Sequence, residues 1–113
     1  MSKRDPLVFY QHMLDHSREA VALVQGKMRA DIDTERLLNL ALVRLLEIIG
    51  EAANRISEEE QARHPEIPWP QIVSLRNRLI HGYDSVDFDI LWQIVTEDLP
   101  PLIVSLEAIV SLK

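Results

Sequence analysis

The chain has 113 residues, a formal net charge of −6, four histidines and no cysteine. That length predicts a single domain, residues 1–113, able to bury a core of its own, and the missing cysteines exclude a disulfide framework and a thiolate zinc site. The acidic balance argues against a surface that grips nucleic acid all over by counterion release, yet it is compatible with a local cationic pocket or a basic partner.

Asp5 and Pro6 read as the cap and first position of a helix running to Gln25, with Gly26 as its stop. Val8, Met13 (or His12), Leu14, Val21 and Val24 recur at helical spacing and predict its inward face. Residues 27–33 read as a polar connection, after which Asp31 or Asp33 caps a long second helix from Thr34 to Ile56. The apolar residues of that helix, from Leu37 to Ile49, cover most of its circumference, so it needs cover on more than one side, and a second copy of the chain is a natural cover. Arg44, Glu47, Glu51 and Arg55 form one narrow polar line along it. Gly50, Ala52 and Ala53 are small enough to admit a neighbouring helix closely.

Ser57 before Glu58-Glu59-Glu60 is a capping signature for a short third helix ending near His64-Pro65. Pro65-Glu66-Ile67-Pro68-Trp69-Pro70 is a stiff loop. A fourth helix follows from Trp69 to Ile80 or His81, with Ile72, Leu75 and Leu79 inward and Gly82 as a left-handed terminator. Asp84 to Asp87 is a connection, Asp87 or Asp89 opens a fifth helix through Leu99, and Pro100-Pro101 predicts a kink before helix resumes to Leu112. Almost nothing reads as strand. The predicted fold is all-α, an antiparallel up-and-down bundle of about five helices that dimerises through the fourth helix and part of the second. The charged start Met1-Ser2-Lys3-Arg4 lacks an apolar targeting core, and charges interrupt the most apolar stretch, so a soluble, cytoplasmic protein without a membrane span is expected.

The polar run Arg76-Asn77-Arg78-Leu79-Ile80-His81-Gly82-Tyr83 lies where the pattern expects core. It gathers a permanent cation, a titratable imidazole and a phenol within about two helical turns, the groups that hold a phosphate and move protons beside it. On a continuous helix Asn77 and His81 share a face, while Arg76 and His81 diverge by roughly 140°. One copy offers one imidazole, whereas metal-free RNA cleavage needs a base for the 2′-hydroxyl and an acid for the leaving 5′-oxygen. Two protomers meeting at this helix supply two histidines and two arginines around one phosphate.

Other residues carry alternatives. Tyr83 reads equally as a half-buried aromatic closing a helix end or as a functional phenol. Glu47 and Glu51 read either as carboxylates orienting Arg76 or His81 or as partners of arginines on their own helix. His12 and His16 have the spacing of a metal pair but no third ligand, so neither a metal site nor a cofactor is assigned. Trp69 and Trp92 read as packing rather than base-stacking platforms. Glu58–Glu60 and Asp84–Asp89 read as caps and solvated turns.

By the Arg76-Asn77…His81-Gly82-Tyr83 pattern the chain resembles the HepT-like toxins of the HEPN superfamily. The resemblance extends over nearly the whole chain in order, through Leu46-Glu47-Ile48-Ile49-Gly50-Glu51-Ala52-Ala53, His64-Pro65-Glu66-Ile67-Pro68-Trp69, Val86-Asp87-Phe88-Asp89 with Trp92, and Glu97-Asp98-Leu99-Pro100. It implies an all-helical homodimer acting as a metal-independent endoribonuclease on tRNA or mRNA, through a 2′,3′-cyclic phosphate, with its active site across the dimer. It further implies a minimal nucleotidyltransferase antitoxin, in a higher hetero-oligomer or not, that transfers AMP from ATP to the motif tyrosine. Carried over by position, Arg76 and His81 are catalytic, Asn77 and Glu51 supporting, and Tyr83 the AMP acceptor. The rival expectation is a helical module that binds a nucleotide or partner in the same pocket and never cuts RNA.

Overall fold

The first helix begins where the Asp5 carboxylate accepts the Leu7 N–H at 2.9 Å, and Pro6 occupies a position whose missing N–H costs nothing. This is a computed structural model, and it describes residues 5–83 and 85–112; the acidic connection read at Asp84 lies in part outside them. Helix α1, Pro6–Leu23, ends ahead of Gly26, whose φ of 76° is the left-handed conformation glycine adopts without strain. Its inward face is Phe9, Tyr10, Met13, Leu14, Ser17 and Ala20. Val8, expected inside, is exposed, and of the alternatives Met13 and His12 it is Met13 that is buried, because the face is phased on the aromatic pair Phe9 and Tyr10.

The connection expected at 27–33 contains a helix, α2, Arg29–Thr34. Asp31 reaches back to accept the Met28 N–H at 2.7 Å, so it opens this short helix rather than the long one, and Ile32 is fully buried. Helix α3 runs Arg36–Asn54. Asn39, buried on it, donates to the Ile32 carbonyl at 3.0 Å and ties α2 to α3. Leu38, Leu42, Leu45, Leu46 and Ile49 face the core, but Leu37 is 83% and Leu40 47% exposed, so one copy leaves part of this helix uncovered. Gly50 has the role its size suggested: a Cβ there would stand 3.1 Å from the Ile72 carbonyl oxygen.

Helix α4, Glu58–Ala62, starts where Ser57 Oγ accepts the Glu60 N–H at 3.2 Å. The proline-rich turn after it is fastened by the Trp69 indole N–H, shared between the carbonyls of Gln61 and His64 at 3.0 Å each. The fourth predicted helix is two: α5, Trp69–Val73, and α6, Leu75–Leu79. They part at Ser74, whose hydroxyl donates to the Pro70 carbonyl at 2.7 Å and competes with the backbone ladder. Helix α6 also stops earlier than read. Ile80 is extended and bridges to Val86, while His81 N–H donates to Ser85 O at 2.8 Å and Asp87 N–H to Leu79 O at 2.9 Å. His81 therefore stands in a hairpin and does not share a helix face with Asn77. Gly82 has a positive φ of 116° as expected, but it turns this hairpin instead of ending a helix.

Asp87 caps helix α7, Phe88–Gln93, by accepting the Ile90 N–H at 3.0 Å. Where a kink was expected at Pro100-Pro101, the chain passes through a π-helical turn, Ile94–Asp98, into helix α8, Leu99–Ser111. Two consecutive residues without N–H groups leave carbonyls of the preceding turn without partners, and the wider turn, with Leu99 N–H reaching Ile94 O, accommodates them.

Helix α1 packs most extensively on α3 and next on α8, while α5 and α6 lie against α3. Phe9 and His12 sit beside Ile48, Glu51, Ala52 and Arg55, so α1 and α3 run antiparallel. The core is continuous, with Tyr10, Met13, Leu14, Ile32, Leu42, Leu46, Ile49, Ile72, Leu75, Leu79, Leu91 and Ile94 fully buried. Among the described residues there is no strand beyond the isolated bridge, and no helix is long and apolar enough to cross a membrane.

Candidate active site

Helix α6 is only five residues long, yet it points three polar side chains in three directions. Leu75 and Leu79 bury one side. Successive residues are about 100° apart, which sends Arg76 and Arg78 to opposite flanks and Asn77 straight outward. On one flank Arg76 Nε lies 3.4 Å from Glu47 Oε2 of α3, with the arginine side chain 65% exposed. On the other, Arg78 meets Asp98 at 3.2 Å, at the end of the π-helical turn. Arg76 of the motif and Arg78 beside it therefore each face a carboxylate, which offsets the local positive charge of a single copy.

The hairpin carries the rest. His81 is half exposed, with Nε2 at 3.8 Å from Asp87 Oδ2. Tyr83, one residue beyond Gly82, is 96% exposed, which removes the half-buried alternative. Among the described residues, no hydrogen bond or ion pair joins Arg76, Asn77, His81 and Tyr83 to one another. The site is an open row of groups, not a closed network.

Glu47, rather than Glu51, is the carboxylate that meets Arg76, and it also approaches Arg44 at 4.0 Å on its own helix. Glu51, one turn further, lines a shallow concavity with Phe9, His12, Ile48, Ala52 and Arg55. His16 lies against the His12 carbonyl at 2.6 Å, and among the described residues no group of three metal-ligating side chains assembles around this pair. Trp69 is buried in the core beside Tyr10, and Trp92 is partly buried against it. Sequence reasoning gave Asp87 a cap and Asp98 nothing. The signal for the first was the β-branched pair Ile80 and Val86 flanking Gly82, a short-hairpin pattern that would have brought Asp87 back beside His81.

Comparison with known proteins supplies the family. A family model described as ribonuclease HepT-like matches residues 13–109. A protein of Methanocaldococcus jannaschii named as an RNase is 35% identical over 102 residues, covering 90% of this chain and 94% of its own. One of Thermococcus cleftensis, named as a ribonuclease HepT, is 37% identical over 97 residues, covering 82% and 88%. A third, of Caldanaerobacter subterraneus and again named as an RNase, is 32% identical over 99 residues, covering 88% of each chain. No solved structure gives a significant match. With an all-helical fold, the Arg76-to-Tyr83 run on its surface and a family match over most of its length, the chain belongs to the HepT-like ribonuclease family of the HEPN superfamily.

Proposed function

We propose that this chain is an endoribonuclease toxin whose reactive centre is completed by a second copy, and which a minimal nucleotidyltransferase silences by transferring AMP to Tyr83. What supports this is the placement of the motif: Arg76, Asn77, His81 and Tyr83 all stand at the surface, and none is consumed by the core. A row of this kind offers one imidazole per copy, too few groups to cut RNA alone.

In such a dimer one His81 removes the proton of a ribose 2′-hydroxyl. The oxygen attacks the adjacent phosphorus, and the bond to the 5′-oxygen breaks. The second copy's His81 gives that leaving oxygen its proton, so the products are a 2′,3′-cyclic phosphate and a 5′-hydroxyl. Arg76, a permanent cation with several donors, stabilises the charge that accumulates on the non-bridging oxygens. Asn77, outward on the same helix, offers an uncharged donor and acceptor to the strand. In the silencing step the Tyr83 phenol attacks the α-phosphorus of ATP, releasing pyrophosphate and leaving an anionic adenylate two residues from His81. That charge repels the RNA backbone and its bulk covers the imidazole.

Purified, unmodified protein incubated with RNA in excess chelator is expected to yield cyclic-phosphate ends, and His81→Ala to lose on the order of 10²- to 10⁴-fold in rate. RNA left intact by the wild-type protein would overturn the nuclease assignment and favour a nucleotide- or partner-binding module. Co-expression with a cognate minimal nucleotidyltransferase is expected to add AMP mass units that Tyr83→Phe abolishes.

A further inference from the structure

Asp87 is engaged from three sides. Its N–H donates to the Leu79 carbonyl, the last residue of α6, at 2.9 Å. Its Oδ1 accepts the Ile90 N–H at 3.0 Å and so starts α7. Its Oδ2 is left over, and it faces His81 Nε2 at 3.8 Å. Of the other charged groups near the motif, Asp89 is taken by Arg29 at 2.7 Å and Arg76 faces Glu47. Among the described residues Asp87 is the one carboxylate within ion-pair distance of the imidazole.

We infer that Asp87 is the positioning residue for His81, fixing its ring so that Nε2 carries the proton and Nδ1 is the nitrogen that meets RNA. The inference rests on the nuclease reading above. A carboxylate facing one ring nitrogen favours the tautomer whose N–H points at it, and leaves the other nitrogen with the free lone pair. The helix cap matters because it holds the carboxylate: Oδ1 is bound to the Ile90 N–H, and the residue's backbone is tied to α6, so the side chain is restrained beside the histidine. The hairpin bond from His81 N–H to Ser85 O holds the histidine backbone in the same frame. Folding thus sets the ring before any substrate arrives.

Two substitutions separate the cap from the charge. Asparagine caps helices as well as aspartate does, so Asp87→Asn keeps the bond from Ile90 but turns an amide N–H₂ toward His81, where a lone pair is then preferred. Asp87→Ser keeps a capping oxygen and places nothing near the ring. Nitrogen NMR of the imidazole is expected to show the Nε2–H tautomer in the wild-type protein and the Nδ1–H tautomer in Asp87→Asn. RNA cleavage by either variant is expected to fall on the order of 10- to 100-fold while the melting temperature and circular dichroism hold. A wild-type ring found as Nδ1–H, or the same tautomer in wild type and both variants, would overturn the assignment to Asp87. Loss of all cleavage in the wild-type protein, with the tautomer contrast intact, would overturn the nuclease reading instead.

Discussion

At the scale of single residues, the same carboxylate chemistry recurs with different consequences at different depths. Glu60 is buried and takes hydrogen bonds from the Tyr10 hydroxyl and from Arg63, each at 3.0 Å. Burial first, and then the bond to Glu60, push the Tyr10 hydroxyl well above the ordinary phenol value of 10.0. A phenol raised in this way affects stability only in alkali. Below about pH 10 folded and unfolded chains both keep the proton; above it the unfolded chain releases a proton that the fold retains, so stability falls as pH rises. Tyr10→Phe is expected to flatten that alkaline decline in denaturant titrations and to cost about 1–3 kcal/mol at neutral pH, because the buried Glu60 Oε2 loses the Tyr10 donor. Arg76, Asn77, His81 and Tyr83 were legible from the sequence because they lie close together in one run. Glu47 was legible only as one of two carboxylates that could orient Arg76 or His81, and the packing of two helices decides for Glu47 on Arg76; Asp87 was legible only as a cap, since it is the closed hairpin that brings it to His81.

Helices that start on a side chain could be read from the sequence almost to the residue. Asp5, Ser57 and Asp87 each accept a backbone N–H within three positions, so the cap and the helix it begins are one local event. Helix ends decided at a distance could not. Periodicity continues past Leu79, but the chain leaves the helix because residues 79–81 find partners in 85–87, and a β-branched Ile80 suits the extended backbone. The seat of α5 on α3 is likewise a contact between elements, foreshadowed only by the size of Gly50. Gly50→Val should force the Ile72 carbonyl aside and lower stability by about 1–3 kcal/mol, read as a drop in melting temperature. Because α6 follows α5 after one residue, the same change should loosen Arg76 from Glu47 and reduce cleavage beyond the loss of folded protein.

For the molecule as a whole, the longest helix, α3, is left partly uncovered near its start. Leu37 and Leu40 are out in solvent, and Leu40 shares a shallow groove with Val43, Val86 and Phe88, directly beside the hairpin that holds His81. A second copy seated there would cover the leucines and bring its own hairpin toward the first. Leu40→Asp is therefore expected to convert the proposed dimer to a folded monomer in sedimentation equilibrium and to abolish cleavage. A variant that remained dimeric would move the contact to another face.

The wide turn before Pro100 has an effect far from the prolines themselves. By withholding two amide donors, the pair keeps the backbone there one residue per turn looser, and Asp98 sits at the end of that slack, in reach of Arg78. Alanines at both sites would supply the missing donors and let the segment tighten to ordinary α-helical pitch, turning Asp98 away. A change made to render the last helix more regular would then release the short helix that bears Arg76, so that the better-formed helix belonged to the poorer enzyme.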